Sequence, residues 1–202
     1  MSSARSPYCP SPMTIEQKKL SVEDATHIAA SGFVQDYSSA LENDVRSHLD
    51  IGTSYTVYED GHKVGFVIYE LFDDILYISG IILLASAQGN GYAPKIISQL
   101  HQETNVPFLA YRTQSPRMWS VGQKLCKEWY PNPINVPNID ILTKIELLCQ
   151  RINTPHYPVS KGFYGQALYG CKPILRDDEI QQWWDEMCSF EAGDAVVCFG
   201  RL

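Results

Sequence analysis

One stretch limits what this chain can become. Ile75–Ala85 is an apolar run, Ser86-Ala87-Gln88-Gly89-Asn90-Gly91 is short and polar, and Tyr92–Leu100 repeats its apolar residues at helical spacing. The order predicts strand, tight loop, helix. Glycine turns a chain through positive φ and lets a ligand approach the backbone closely. A helix start leaves N–H groups unpaired at the positive end of the helix dipole. Together they make an anion cradle at the end of a strand. The dinucleotide fingerprint does not fit, because Pro94 stands where its third glycine would be, and no Gly-Lys-Ser/Thr follows for a P-loop. Taken alone, Gly-x-Gly reads equally as an ordinary turn.

The residues around the loop add a meander. Thr53–Tyr58 alternates as a strand, Asp60-Gly61 is a hairpin dipeptide, and Lys63–Leu71 returns before Phe72-Asp73-Asp74 turns the chain again. Ile81–Leu84 is a continuous apolar run, expected to be buried on both faces, and Gly80 before it marks a bulge or a close backbone approach. Asn105-Val106-Pro107 leads to a short strand at Phe108–Tyr111, parallel to the one before the loop.

Gln88-Gly89-Asn90-Gly91-Tyr92-Ala93, in this context, resembles the Q/R-x-x-G-x-G/A signature of the GCN5-related N-acetyltransferases (GNAT). The resemblance is clearest from Tyr55 to Trp119. It implies an α/β fold, with a mixed central sheet of about six or seven strands and helices on both faces. It implies acetyl-coenzyme A as cosubstrate, its pyrophosphate on the loop's N–H groups and its pantetheine arm in a gap between the fourth and fifth strands. The implied cofactor-binding set is Leu83, Ala85, Gln88, Gly89, Asn90, Gly91, Tyr92, Ala93 and Ser115. Ser115 stands where relatives place an Asn that contacts the pantetheine arm. The family's proton-donating Tyr, about seven places further on, falls at Gly122 counted from Ser115 or at Val121 counted from Gln114, and neither can donate a proton.

That vacancy leaves the acid and base to be found elsewhere. Glu70, Asp73 and Asp74 lie on or beside the third strand of the meander, and His156 lies in an aromatic-rich tail. Glu70 and His156 are the leading base candidates. Tyr164, between Gly162 and Gly165, is the first candidate for the acid, with Tyr157 beside it. Tyr37 and His48 can be read as facing an acceptor or, more plainly, as a half-buried Tyr and a surface His. The expected reaction is transfer of an acetyl group to a primary amine of a small molecule, peptide or protein. The alternative is an acetyltransferase-like protein that binds coenzyme A or a protein partner without efficient turnover.

The remaining chain follows from local signals. Residues 1–13, with three prolines and four serines, read as a flexible leader, and 14–202 as one domain. Ser21 caps a helix that resumes from Phe33 to Leu49; Ser115-Pro116 starts another, read as Arg117–Tyr130; Asn138 caps Ile139–Ile152. Arg176–Met187 reads as an amphipathic helix and Ala195–Phe199 as a closing edge strand. A net charge of −7 argues against nucleic acid or anionic membrane as partners. Six cysteines lack metal spacing and the chain lacks a secretory signal, so free thiols in the cytoplasm are expected. Oligomeric state is not legible.

Overall fold

The computed structural model describes residues 13–202, so the expected leader, apart from Met13, lies outside the described residues. The described residues build one eight-stranded mixed sheet. Strand β1 (Met13–Glu16) pairs with β2 (Thr53–Glu59), which forms a meander with β3 (His62–Phe72) and β4 (Ile75–Leu83). Asp60 and Gly61 take positive φ in the hairpin, as the dipeptide demands. Strand β5 (Phe108–Thr113) lies parallel to β4 and antiparallel to β8 (Ala195–Arg201).

The caps read from the sequence are formed. The Ser21 hydroxyl accepts from Asp24 N–H at the start of α1 (Val22–Phe33). Ser115 accepts from Met118 N–H and Pro116 opens α4 (Pro116–Leu125). Asn138 accepts from Ile141 N–H at α5 (Ile139–Arg151). Helix α3 (Tyr92–Thr104) follows the glycine loop, and α6 (Asp178–Met187) precedes β8. One face of the sheet carries α3, α4 and α6 over Val67, Leu76, Leu109 and Val196. The other carries two separate clusters, Phe66 and Ile68 under α1 and α2 (Ser39–Ile51), and Phe108, Ala110 and Phe199 under α5.

Four expectations are corrected. The helix from Phe33 does not continue: Val34 takes a left-handed conformation, and α2 begins only after Ser38, whose hydroxyl accepts from Leu41 N–H. Helix α4 stops at Leu125, because Lys127 N–H bonds Arg201 C=O and Glu128–Tyr130 then pairs with β8 as strand β6. Strand β8 is therefore not an edge. It lies between β5 and β6, with the two-residue β7 (Val159–Ser160) also on it. Ile81 and Ile82 are only half-buried, because β4 leaves β5 before reaching them.

The tail is fastened by one carboxylate. Asp194 is buried and accepts from Lys161 Nζ at 2.8 Å, Gly162 N–H at 2.8 Å and Ser189 N–H at 3.0 Å. Burial alone would push this carboxyl up, but those donors outweigh it and hold it below the usual carboxylate range. A lowered native value stabilises the fold above the unfolded-state value of 3.8, and this is lost as pH falls further, through the native value. Asp194→Asn should cost about 2 kcal/mol at pH 7, the scale of hydrogen bonds to a charged group. The deficit relative to the parent should shrink below pH 3.8. Equal urea midpoints for parent and variant at pH 7 would contradict this role.

Candidate functional site

Strands β4 and β5 share only four residue pairs, from Ile75 with Phe108 to Ile78 with Tyr111. Beyond them β4 stays with β3 as far as Leu83, while β5 stays with β8 as far as Thr113. A bulge sits where the strands part: Ile68 faces Gly80 and Tyr69 faces Ile78, leaving Ser79 as the extra residue. The result is a wedge with an unpaired strand edge on either side. It opens into a cleft of about 1020 Å³, lined by both strands, the glycine loop, α1, α2, α4 and the tail.

At the end of β4 the chain makes one turn of 3-10 helix, Ala85–Ala87, and enters the loop. Gly89 and Gly91 have φ of 83° and 72°, so the turn needs glycine at both. Among the described residues, no acceptor pairs with the N–H groups of Gly89, Asn90, Gly91, Tyr92 or Ala93. They sit at the start of α3, which has no side-chain cap. This is an anion cradle built from backbone. Arg117, Lys124 and Lys172 add cationic side chains to the cleft lining.

Not every expected cofactor contact has the form that the sequence suggested. The Gln88 side chain donates to the carbonyls of Gly32 at 2.8 Å and Leu83 at 3.1 Å, clamping the end of α1 to β4. The Tyr92 ring is buried and its hydroxyl donates to Glu59, so only its main chain is free. Ala85 N–H is taken by the Ser31 hydroxyl at 3.1 Å, and Ala85 lies outside the cleft lining, which includes Leu83, Gln88, Gly89, Gly91, Tyr92, Ala93 and Ser115. Asn90 is exposed beside them.

Gly122 explains the absent tyrosine. The Trp129 ring occupies the space beside it, and a Cβ there would stand 2.1 Å from Trp129 Cζ2. The ring comes from β6, which the sequence reading had placed in the helix. The tail supplies the aromatic groups instead. Gln114 donates to the carbonyls of Phe190 and Asp194 and accepts from Leu168 N–H at 2.8 Å. Gly170 N–H donates to Phe33 C=O at 2.7 Å, and Gln35 donates to Leu168 C=O. The segment from Phe163 to Tyr169 is thus strapped from β5 to the end of α1, across the cleft, with Tyr164 and Tyr169 in its lining.

Tyr164 is half-buried, and desolvation of its hydroxyl raises it above the ordinary tyrosine range, with Tyr169, Tyr77, Arg112 and Asp44 around it. Tyr169, which the sequence reading did not assign, is pushed by burial up to about 12, while the hydroxyls of Ser115 and Thr113 pull it back. Both phenols are therefore protonated at pH 7. Glu70 also lines the cleft and accepts from Ser79 Oγ at 3.2 Å. His48 lines it from α2, 3.8 Å from Asp44. His156 is exposed and outside the cleft lining, because its segment turns away into β7. Tyr157 packs under α5 with Tyr130, and its hydroxyl is buried without a partner.

Comparison with known proteins agrees with this geometry. Residues 22–104 match the acetyltransferase (GNAT) family model. An IAA acetyltransferase from Bacillus cereus superposes with a TM-score of 0.53 at 13% identity, covering 95% of this chain and 100% of that one. A Bacillus subtilis acetyltransferase solved in complex with CoA superposes with 0.53 at 14% identity, covering 95% and 99%. The ribosomal-protein-S18-alanine N-acetyltransferase of Escherichia coli gives 0.50 at 13% identity, covering 94% of both chains. No curated protein is significantly similar in sequence. The chain has the fold of the GNAT acetyltransferase superfamily.

The five described cysteines are free, and Cys171 is the exposed one and lines the cleft. Burial raises the other four thiols, Cys126 and Cys188 to about 12 and Cys149 and Cys198 also upward. They carry little thiolate near pH 8. Alkylation of the folded protein at pH 8 should therefore label Cys171 ahead of these four. Mass mapping showing Cys126 or Cys188 modified as fast would contradict the packing.

Proposed function

We propose that the protein is an acetyl-coenzyme A-dependent N-acetyltransferase acting on a primary amine. The wedge ending in five unpaired N–H groups supports this best. A pyrophosphate suits those donors, and Arg117 and Lys124, also in the cleft lining, suit further phosphate in a chain whose net charge is −7. The free edges of β4 and β5 suit an extended arm carrying amides, which would replace the missing strand pairing. The complex of the Bacillus subtilis relative with CoA accords with this reading.

The chemistry assigned to the chain's own residues is acid, base and alignment. Glu70 takes a proton from the acceptor ammonium, and Ser79 orients its carboxylate. The freed amine attacks the thioester carbon, the C–S bond breaks, Tyr164 gives its proton to the departing thiolate, and the surplus proton on the new amide nitrogen passes through water to the Tyr164 phenolate. The second reading, coenzyme A binding without efficient turnover, draws on Gly122, where Trp129 leaves no room for the family's tyrosine.

Two measurements separate the readings. Gly91→Val forces a β-branched residue to φ of 72° and should weaken coenzyme A binding at least tenfold, about 1.4 kcal/mol, by calorimetry. Unchanged affinity in a folded variant would place the cofactor elsewhere. Tyr164→Phe removes only the hydroxyl and should lower thiol release by roughly 10²-fold, with coenzyme A affinity unchanged. Turnover within twofold of the parent would remove Tyr164 as the acid. Tight coenzyme A binding with no thiol release from any amine tried would favour the second reading.

A further inference from the structure

The acceptor side of the cleft contains a cation without an anion. Arg112, on β5, lines the cleft on the face that carries α2 and α5. One Nη donates to Ile152 C=O at 3.0 Å and Thr154 Oγ1 at 2.8 Å, both neutral acceptors. The Phe163 ring lies over the guanidinium, 3.8 Å from Cζ, and fixes its plane. Its Nε is buried and has no partner among the described residues. Among the described residues no carboxylate forms an ion pair with it: Glu70 is bonded by Ser79, and Asp44 stands beside His48. A shielded charge is costly unless an opposite charge meets it. A planar guanidinium, held by stacking and bonded only to neutral acceptors, matches a carboxylate better than a single point charge would.

Its position relative to Glu70 narrows the ligand. Glu70 pairs with Tyr77, and Tyr77 pairs with Ala110, two residues before Arg112. Residues two apart share a sheet face. Glu70 and Arg112 therefore flank the Tyr77 ring, at least about 12 Å apart at Cα, two strand spacings across the sheet and two residues along it. Two long side chains reaching inward over that span bracket a small molecule with a cation at one end and an anion at the other.

We infer, on the acetyltransferase reading above, that the acceptor amine carries a carboxylate, as an amino acid does, and that Arg112 binds it while Glu70 faces the ammonium. Arg112 is on this account a specificity-determining residue, separate from proton transfer. The test uses the full chain with acetyl-coenzyme A and a panel of L-amino acids and their α-amides, which keep the amine and lose the carboxylate. Thiol release is expected with one or more free acids, with KM at least tenfold higher for the matching amide. Arg112→Gln should raise KM for the acid by a similar factor, abolish the preference over the amide, and leave coenzyme A affinity unchanged. Arg112→Lys should restore part of the preference. Because Arg112 also ties down residues 152–154, the acid–amide comparison in the unaltered protein stands by itself if the variants misfold. Amides used as well as acids would overturn the carboxylate and leave the acetyltransferase reading standing. Thiol release with neither series, at full coenzyme A affinity, would also overturn the carboxylate. Loss of coenzyme A binding in the parent would overturn the functional reading itself.

Discussion

The separation of β4 from β5 is the constraint on which the rest of the molecule depends. A sheet normally spends its backbone groups on neighbouring strands, and an interior edge left open costs hydrogen bonds. Here each strand keeps its outer partner, β3 for one and β8 for the other, so neither can follow the other past Ile78 and Tyr111. The bulge at Ser79 and Gly80 turns β4 at that point. Everything that gives the cleft its chemistry then follows from what the opening exposes. The glycine loop stands at the end of the departing strand, Ser115 at the end of the other, and Glu70, Tyr77 and Arg112 share one sheet face around the point where the two part.

The tail completes what the wedge begins. Asp194 fixes residues 161 and 162, Gln114 holds Leu168, and Phe33 and Gln35 receive the far end. These bonds join the β5 half of the sheet to α1, whose end is itself clamped to β4 through Gln88. The strap thereby sets the spacing of the two halves as well as covering them. It also presents Phe163 to Arg112 and Tyr164 to the cleft, so the segment that closes the site is the one that furnishes its phenol.

Much of this was legible in the sequence where the determinant is local. Ser21, Asn138 and Ser115-Pro116 announce helix starts because a cap needs only the next few N–H groups. Asp60-Gly61 announces the hairpin, and Ile75–Leu100 the strand, loop and helix. What was not legible depends on partners distant in sequence. Glu128–Tyr130 reads as helix until Arg201 N–H and C=O groups are beside it, and β8 reads as an edge until β6 and β7 are known to flank it. Gly122 shows a missing tyrosine in the sequence, but only the Trp129 ring shows why. Arg112 gives no local signal, since an arginine in a strand is unremarked until its neighbours prove to be neutral. Gln88 and Tyr92 line the cleft, while their side chains serve the scaffold.

The central claim is that the open edges of β4 and β5 and the loop after β4 form one continuous site for an extended, phosphate-bearing cosubstrate. A crystal structure of the protein with coenzyme A tests it most directly. The account predicts the pyrophosphate on the N–H groups of Gly89–Ala93, and the pantetheine amides bonded to main-chain groups of Ser79–Leu83 inside the wedge. Coenzyme A bound outside the wedge, with the Gly89–Ala93 N–H groups facing solvent, would contradict it.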